Sequence, residues 1–119
     1  MLQREYRFHS RSAVQAVYRR GRSARSGLLL AKVVQRQHGS VRAAVVVSTK
    51  VSKSAPVRNR IRRRVYELIR THVDLRQPLD IAITGYGDEV ANMASQELRR
   101  HFLYLCKQSG VGCTEPDVA

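Results

Sequence analysis

The chain has 119 residues, 43% of them hydrophobic, and carries a formal net charge of +13 with a pI near 11.0. This length supports one modest core, the apolar content excludes a disordered basic tail, and no apolar run reaches membrane-spanning length. The charge favours a polyanionic partner whose binding weakens steeply with salt. Because the first residues lack the apolar core of a secretory signal, we expect a cytoplasmic protein. We also expect no membrane association and no obligate protein partner.

The first half of the chain predicts one helix and two strands. A short helix over residues 12–20 is followed by Gly21, which we expect to end it in a left-handed conformation. Residues 21–27 predict a basic loop or, as an alternative, a third short strand. Apolar segments at residues 28–34 and 41–49 predict two strands, and the turn containing Gly39 indicates that they pair as an antiparallel hairpin.

The second half predicts two helices around one strand. A long helix has Ser54 or Ala55 at its cap and Pro56 in its first turn, and it runs to about residue 72. Residues 79–84 predict a short apolar strand. The last helix begins near residue 89 or 92 and ends near 108, and its predicted packing stripe is Ala94, Leu98, Phe102 and Leu105.

This order of elements predicts an α+β fold, a small α/β sandwich arranged helix–strands–helix–strand–helix. We expect one domain over residues 1–109 and a frayed C-terminal tail over residues 110–119. The two cysteines follow neither a redox nor a zinc spacing. Cys106 is therefore predicted to be a small buried residue and Cys113 to lie in the tail, as fits a reducing cytoplasm.

The segment Val57–Arg70 combines a dense run of arginine with an apolar ladder at helical spacing. Five of the seven residues from Arg58 to Arg64 are arginine, and the only acid between Arg58 and Arg70 is Glu67. Solvated helix faces usually mix both signs of charge, whereas arginine suits phosphates and nucleobase edges. We therefore predict that this helix binds RNA and packs through Val57, Ile61, Val65, Leu68 and Ile69.

The candidate RNA contacts lie in this helix and in the segment before it. Asn59 is uncharged, so it either bonds a base edge or a 2′-hydroxyl, orients its neighbours, or caps the helix start. Tyr18 and Lys32 suit the stacking and the backbone contacts of single-stranded RNA, although core packing is an alternative for Tyr18. The basic and amide candidates are Lys50, Lys53, Arg58, Asn59, Arg60, Arg62, Arg63 and Arg64.

The block Arg58-Asn59-Arg60-Ile61-Arg62-Arg63, after a strand that ends at Lys50, resembles the signature of the bacterial ribonuclease P protein subunit. The resemblance extends from about Arg7 to Lys107. It implies a left-handed strand–helix–strand crossover around the arginine helix, although right-handed crossovers are the general rule. It also implies a protein that binds the catalytic ribonuclease P RNA through the candidate contacts.

The resemblance further implies an endoribonuclease whose chemistry is performed by RNA. In this family the protein assists endonucleolytic removal of the 5′ leader of precursor tRNA, and Mg²⁺ is held mainly by RNA. The implied partners are the catalytic RNA subunit and precursor tRNA. A leader-binding cleft between the first helix and the sheet would include Val14, Tyr18 and Lys32.

Two features depart from the family pattern. Val14 stands where the family usually has an aromatic residue, so leader binding is expected to be weaker or to use Phe8 or Tyr6 instead. The segment from Lys50 to the helix is one residue longer than usual and lacks glycine, which leaves the roles of Lys50 and Lys53 open.

The acids and histidines predict no protein active site. The nine acids are scattered, and the four histidines occupy different elements, whereas a protein nuclease needs a base or metal ligands held together. We therefore predict no catalytic and no metal-binding residue. The alternative function is a ribosomal or other structured-RNA-binding protein without a role in cleavage. A reader of double-stranded DNA is disfavoured, because the apolar ladder would hold the helix against a sheet.

Overall fold

The computed structural model describes residues 2–8 and 11–113, and these residues form an α+β fold, as predicted. Its helices are α1 (Arg11–Arg20), α2 (Ala55–His72) and α3 (Ser95–Ser109). Its strands are β1 (Arg22–Ser26), β2 (Leu29–Gln35), β3 (Arg42–Val47) and β4 (Leu79–Gly85). Short 3-10 segments lie at Arg4–Tyr6 and Asp88–Ala91. The alternative of a short strand within residues 22–27 is confirmed by β1.

The four strands form one mixed sheet in the order β1-β2-β4-β3. The predicted hairpin between β2 and β3 is wrong, because β4 lies between them, antiparallel to β2 and parallel to β3. The physical reason is the composition of β4, in which six of seven residues are buried. A strand that is apolar on both faces belongs in the middle of a sheet. The parallel β3–α2–β4 crossover matches the one that the resemblance implied, and its handedness stays a prediction.

The main core lies between one face of the sheet and the two helices α2 and α3. The ladder of α2 is confirmed, since Ile61, Val65 and Ile69 are fully buried and Val57 and Leu68 pack against the cluster at its edge. On α3 the stripe is confirmed at Leu98, Phe102 and Leu105. Ala94 is an exception, because it is exposed and precedes the helix.

Three helix ends show how local chemistry sets the boundaries. The Ser54 hydroxyl accepts a hydrogen bond from the Val57 N–H at 3.4 Å and caps α2, so Asn59 lies inside the helix and the cap alternative for it is wrong. Gly21 is not left-handed. A side chain there would lie 2.6 Å from the Val17 carbonyl oxygen, so close backbone approach is what favours glycine. Gly110 has φ 76° and ends α3.

Residues 110–113 pack against the domain, although the sequence indicated a tail from residue 110 onward. Val111 is buried, and the Asp74 N–H donates to the Gly112 carbonyl at 3.0 Å. Cys106 is buried on α3, as predicted. Contrary to the loose position predicted for Cys113, it forms a disulfide with Cys106, with their Cα atoms 6.4 Å apart. The reversal after α3 brings the two sulfurs together. The rest of the predicted tail, residues 114–119, lies outside the described residues.

Candidate RNA interface

Two arginines of α2 have exposed guanidinium groups that form no bond within the described part of the protein. Arg60 and Arg63 are exposed, and within residues 2–8 and 11–113 neither guanidinium has a hydrogen-bond or ion-pair partner. They lie three residues apart, so both occupy the same side of the helix, away from the fully buried Ile61 and Val65. An unpaired, solvated guanidinium suits a phosphate, because it loses no internal bond on binding.

Two other predicted contacts use their guanidinium groups inside the protein. Arg58 donates to the Ser52 carbonyl oxygen at 2.8 Å and so fixes the segment that leads into α2. Arg64 donates to the Val90 and Met93 carbonyl oxygens at 2.7 and 2.5 Å. Burial lowers the pKa of Arg64. Arg64 therefore joins α2 to the 3-10 segment, a role that its place in a basic run did not indicate.

Asn59 and Arg62 form a pair between the unpaired arginines. The Arg62 guanidinium donates to the Asn59 side-chain oxygen one turn earlier, so Asn59 orients its neighbour, one of the roles considered from the sequence. The pair is solvent-accessible, and the Asn59 amide nitrogen has donors left for RNA. Together these residues form what we call the arginine face: Asn59, Arg60, Arg62 and Arg63.

The lysines before α2 lie in a loop with defined hydrogen bonds. Lys50 and Lys53 are exposed in this loop. The Val51 N–H donates to the Ser48 carbonyl at 3.1 Å, and the Ser54 N–H donates to the Ser52 hydroxyl at 3.1 Å. The longer loop is thus ordered without glycine, and both ammonium groups stand near the start of α2.

The three predicted cleft residues meet on the sheet face opposite α2 and α3. The Tyr18 hydroxyl hydrogen-bonds the Thr84 hydroxyl of β4. Lys32 of β2 is paired with Ala82 of β4, and residues 82 and 84 share a face because strand side chains alternate. Val14 is half-buried one turn before Tyr18 on α1. We call this surface the α1 face.

The Tyr18 ring combines packing with exposure. The side chain is half-buried, and burial raises the pKa of its phenol, with the neighbouring Tyr86 adding to the rise and the Thr84 hydrogen bond opposing it. The phenol therefore stays protonated near neutral pH. The half-buried side chain agrees with packing, and stacking of its ring on RNA stays a prediction.

Sequence reasoning missed a second aromatic on the α1 face. Tyr86 follows β4, is 46% exposed, and has the Arg25 guanidinium 5.0 Å from its ring centroid. Arg25 is paired with Leu30 of β2, which is paired in turn with Thr84. The alternation of strand residues from Ala82 to Tyr86 would have placed Tyr86 on this face. That prediction required knowing that β4 is a central strand.

An ion-pair cluster on the same side of the sheet was also missed. Asp80 is 7% exposed and accepts two hydrogen bonds from Arg42 at 3.0 and 2.9 Å. Arg36 Nε lies 2.8 Å from the same carboxylate. The Arg42 guanidinium lies 5.1 Å from the Phe8 ring centroid, so the cluster places an aromatic beside the sheet. An acid inside an apolar strand is itself a signal, because such a charge is rarely buried without a partner.

No helix within the described part of the chain is long and apolar enough to cross a bilayer. Among the same residues, no three histidine, cysteine or acidic side chains come together as a group that could hold a metal ion.

The sequence matches one protein family over nearly its whole length. The family model described as Ribonuclease P matches residues 2–110. A ribonuclease P protein component of Prochlorococcus marinus is 39% identical over 72 residues, which are 59% of this chain and 52% of that protein. A second, from Clostridium kluyveri, is 41% identical over 69 residues, which are 58% of this chain and 61% of that protein. The chain thus spans between half and two thirds of the length of these relatives.

Solved structures share the fold at low sequence identity. The RNase P protein of Staphylococcus aureus superposes with a TM-score of 0.72 at 20% identity, covering 89% of this chain and 96% of that one. The RNase P protein of Thermotoga maritima gives 0.72 at 19% identity, covering 86% and 96%. Because the family model covers residues 2–110, this chain belongs to the ribonuclease P protein family.

Proposed function

We propose that this chain is the protein component of ribonuclease P and assists the RNA-catalysed, endonucleolytic removal of the 5′ leader from precursor tRNA. Membership of the family supports this activity, and so does the naming of both relatives as ribonuclease P protein components. The observation that carries the proposal is the pair of unpartnered guanidinium groups of Arg60 and Arg63, next to the Asn59–Arg62 pair, on one side of a helix whose other side is packed.

The arginine face is the proposed contact with the catalytic RNA. Its two unpartnered cations bind phosphates, and the Asn59 amide donates to a base edge or a 2′-hydroxyl. Lys50 and Lys53, on the loop before α2, add phosphate contacts. Arg58 and Arg64 act indirectly, since their bonds to backbone carbonyls hold the start of α2 and the neighbouring 3-10 segment in place.

The α1 face is the proposed contact with the single-stranded leader of precursor tRNA. Bases stack on the Tyr18 and Tyr86 rings, while Lys32 and Arg25 lie close enough to follow the phosphates. Phe8, which lies beside Arg42, extends the aromatic surface. It replaces the aromatic ring that the family usually has at the position of Val14. Mg²⁺ is held mainly by RNA in this proposal.

Cleavage of a leader-bearing precursor tRNA at low Mg²⁺ tests the proposal. The reaction is compared with protein alone, with a bacterial ribonuclease P RNA alone, and with both. We expect efficient cleavage only in the mixture, and its loss when Arg60→Gln and Arg63→Gln are combined. The other candidate function, a structured-RNA-binding protein without a role in cleavage, predicts a different result. The mixture would then cleave no faster than RNA alone, although the protein would still bind structured RNA.

A further inference from the structure

The outward side of α3 forms a surface separate from the arginine face and the α1 face. Leu103 and Tyr104 are adjacent, and each lies three or four residues from both Arg100 and Lys107, so the four residues lie together on the helix. They line an open groove of about 670 Å³ whose other side is the segment Val111–Cys113. We call it the α3 groove.

The far side of the groove is held by specific bonds. The Gly112 N–H donates to the Gln77 side-chain oxygen at 2.8 Å, and the Gln77 side-chain nitrogen donates to the Gly112 carbonyl at 2.9 Å. Val111 is buried, and the Cys106–Cys113 disulfide ties the segment to α3 itself. The groove therefore has two fixed walls.

Charge and aromatic exposure identify the kind of ligand. Tyr104 is 50% exposed, and Arg100 and Lys107 are exposed about one turn to either side of it. None of the described residues that line the groove is acidic, and the sequence has no acid from Leu98 to Cys113. An ordinary solvated helix face carries both signs of charge and rarely presents an aromatic ring between two cations. This one is complementary to an anion that carries a flat, stacking group.

We propose that the α3 groove binds single-stranded RNA, with a base stacked on the Tyr104 ring and the adjoining phosphates bound by Arg100 and Lys107. A space of about 670 Å³ has the size of a pocket for a small organic ligand and accommodates a nucleotide. Stacking on an aromatic beside basic side chains is the general mode by which proteins bind unpaired nucleotides. The inference goes beyond the proposed function, because it uses neither of the surfaces assigned above.

The chain has no tryptophan, which provides a direct readout. Tyr104→Trp creates a single indole in the groove, and titration with a short oligoadenylate is expected to quench its fluorescence. Adding Arg100→Gln and Lys107→Gln should weaken the titration about tenfold, as two phosphate contacts are lost. Gln108→Trp is the matched control, because Gln108 is exposed on the same helix but does not line the groove. Its fluorescence should change little.

A second measurement keeps the native aromatic. In a background with Arg60→Gln and Arg63→Gln, Tyr104→Ala should weaken binding of a labelled oligoadenylate about tenfold, whereas Tyr104→Phe should stay within about twofold of its parent. Circular dichroism checks that each variant is folded. The proposal fails if Tyr104→Ala and Tyr104→Phe bind equally, or if quenching at the two tryptophan positions is the same. It also fails if inorganic polyphosphate, which has no bases, quenches as strongly as the oligonucleotide.

Discussion

The arginine face and the α1 face are assembled in different ways. The arginine face comes from four of the five positions Asn59–Arg63 of one helix, so helical periodicity places its residues on the same side. The α1 face joins residues far apart in the chain, and its hydrogen bond between Tyr18 and Thr84 spans 66 positions. The first surface forms wherever α2 forms with one side packed. The second exists only if β4 is placed between β2 and β3.

In the proposed function, the two surfaces also differ in the forces that they offer to RNA. The arginine face presents cations in water, so its contribution is electrostatic and depends on salt. The α1 face presents rings and half-buried polar groups, so its contribution is stacking and depends on shape. Variants of the two surfaces should therefore differ in salt dependence and in which RNA they affect.

The largest expected effect is on the arginine face. Arg60→Gln with Arg63→Gln should weaken binding of ribonuclease P RNA about a hundredfold, because each lost charge-assisted bond contributes roughly 1.5 kcal/mol. The slope of log affinity against log salt should fall by about two. Filter binding over a salt series measures both.

The matched control removes the same amount of charge elsewhere. Arg70→Gln with Arg76→Gln also takes two from the net charge, but Arg70 is paired with Glu67 and Arg76 with Asp74. We expect a much smaller loss of RNA affinity from this double variant. Equal losses would mean that net charge, and not the arginine face, governs binding.

Asp80→Ala should lower the stability of the folded protein, because it removes the ion-pair cluster on the α1 side of the sheet. It removes the buried carboxylate that Arg42 and Arg36 contact. We expect the free energy of unfolding to fall by about 2 kcal/mol, which is less than the loss for a fully buried ion pair because Arg42 is partly exposed. Urea unfolding followed by circular dichroism measures it. Asp74→Ala, which breaks an exposed pair, should change stability little. Similar results for both variants would show that the Asp80 cluster is not a stabilising feature.

Tyr18→Ala should weaken binding of leader-bearing precursor tRNA by the complex about tenfold, because one stacking ring is lost. Affinity for leaderless tRNA should not change. Tyr18→Phe keeps the ring and loses only the bond to Thr84, so it should bind the leader nearly as well as the parent. A loss shared by both substrates would place Tyr18 outside the leader contact.

Val14→Phe should give a smaller gain in the opposite direction. A ring one turn before Tyr18 extends the stacking surface, and we expect leader-bearing precursor to bind about threefold tighter. Leaderless tRNA is again the control substrate. Unchanged affinity for both RNAs would remove Val14 from the leader contact.

The smallest effect concerns Glu67, at the border of the arginine face. Hydrogen bonds from Arg70 lower the pKa of Glu67 from 4.5 to about 2. The pair therefore stabilises the folded state above pH 4.5, and this contribution is lost as pH falls from 4.5 towards 2. Because the side chain is 45% exposed, the effect should stay below about 1 kcal/mol. Glu67→Gln should flatten the dependence of unfolding free energy on pH in this window. An unchanged profile would show that the pair contributes nothing.

The helices were predictable because their signals are local. The α2 ladder, the Ser54 cap and Pro56 in the first turn lie within a few residues of one another, and each acts through bonds or contacts inside one turn. The same holds for the stripe of α3. Ala94 was included in that stripe because periodicity continues past a helix end, whereas the helix itself begins at Ser95.

Strand partners were not predictable in the same way. The turn at Gly39 suggested that the flanking strands pair, but a turn cannot report a third strand that arrives from residue 79. The burial of β4 on both faces gives it the central position, and this is a property of the whole sheet. Tyr86 and Arg25 could be assigned to the α1 face only after that pairing was known.

The sequence by itself determined that this chain has an amphipathic arginine helix, a strongly basic charge and an α+β order of elements, because periodicity and charge act over short distances. The tertiary structure alone decided which arginines remain available to RNA. Arg58 and Arg64 differ from Arg60 and Arg63 by what surrounds them, since carbonyl oxygens of the preceding loop and of the 3-10 segment accept the hydrogen bonds of the first two. It also decided the α1 face and the α3 groove, because each joins residues whose proximity depends on how the chain packs.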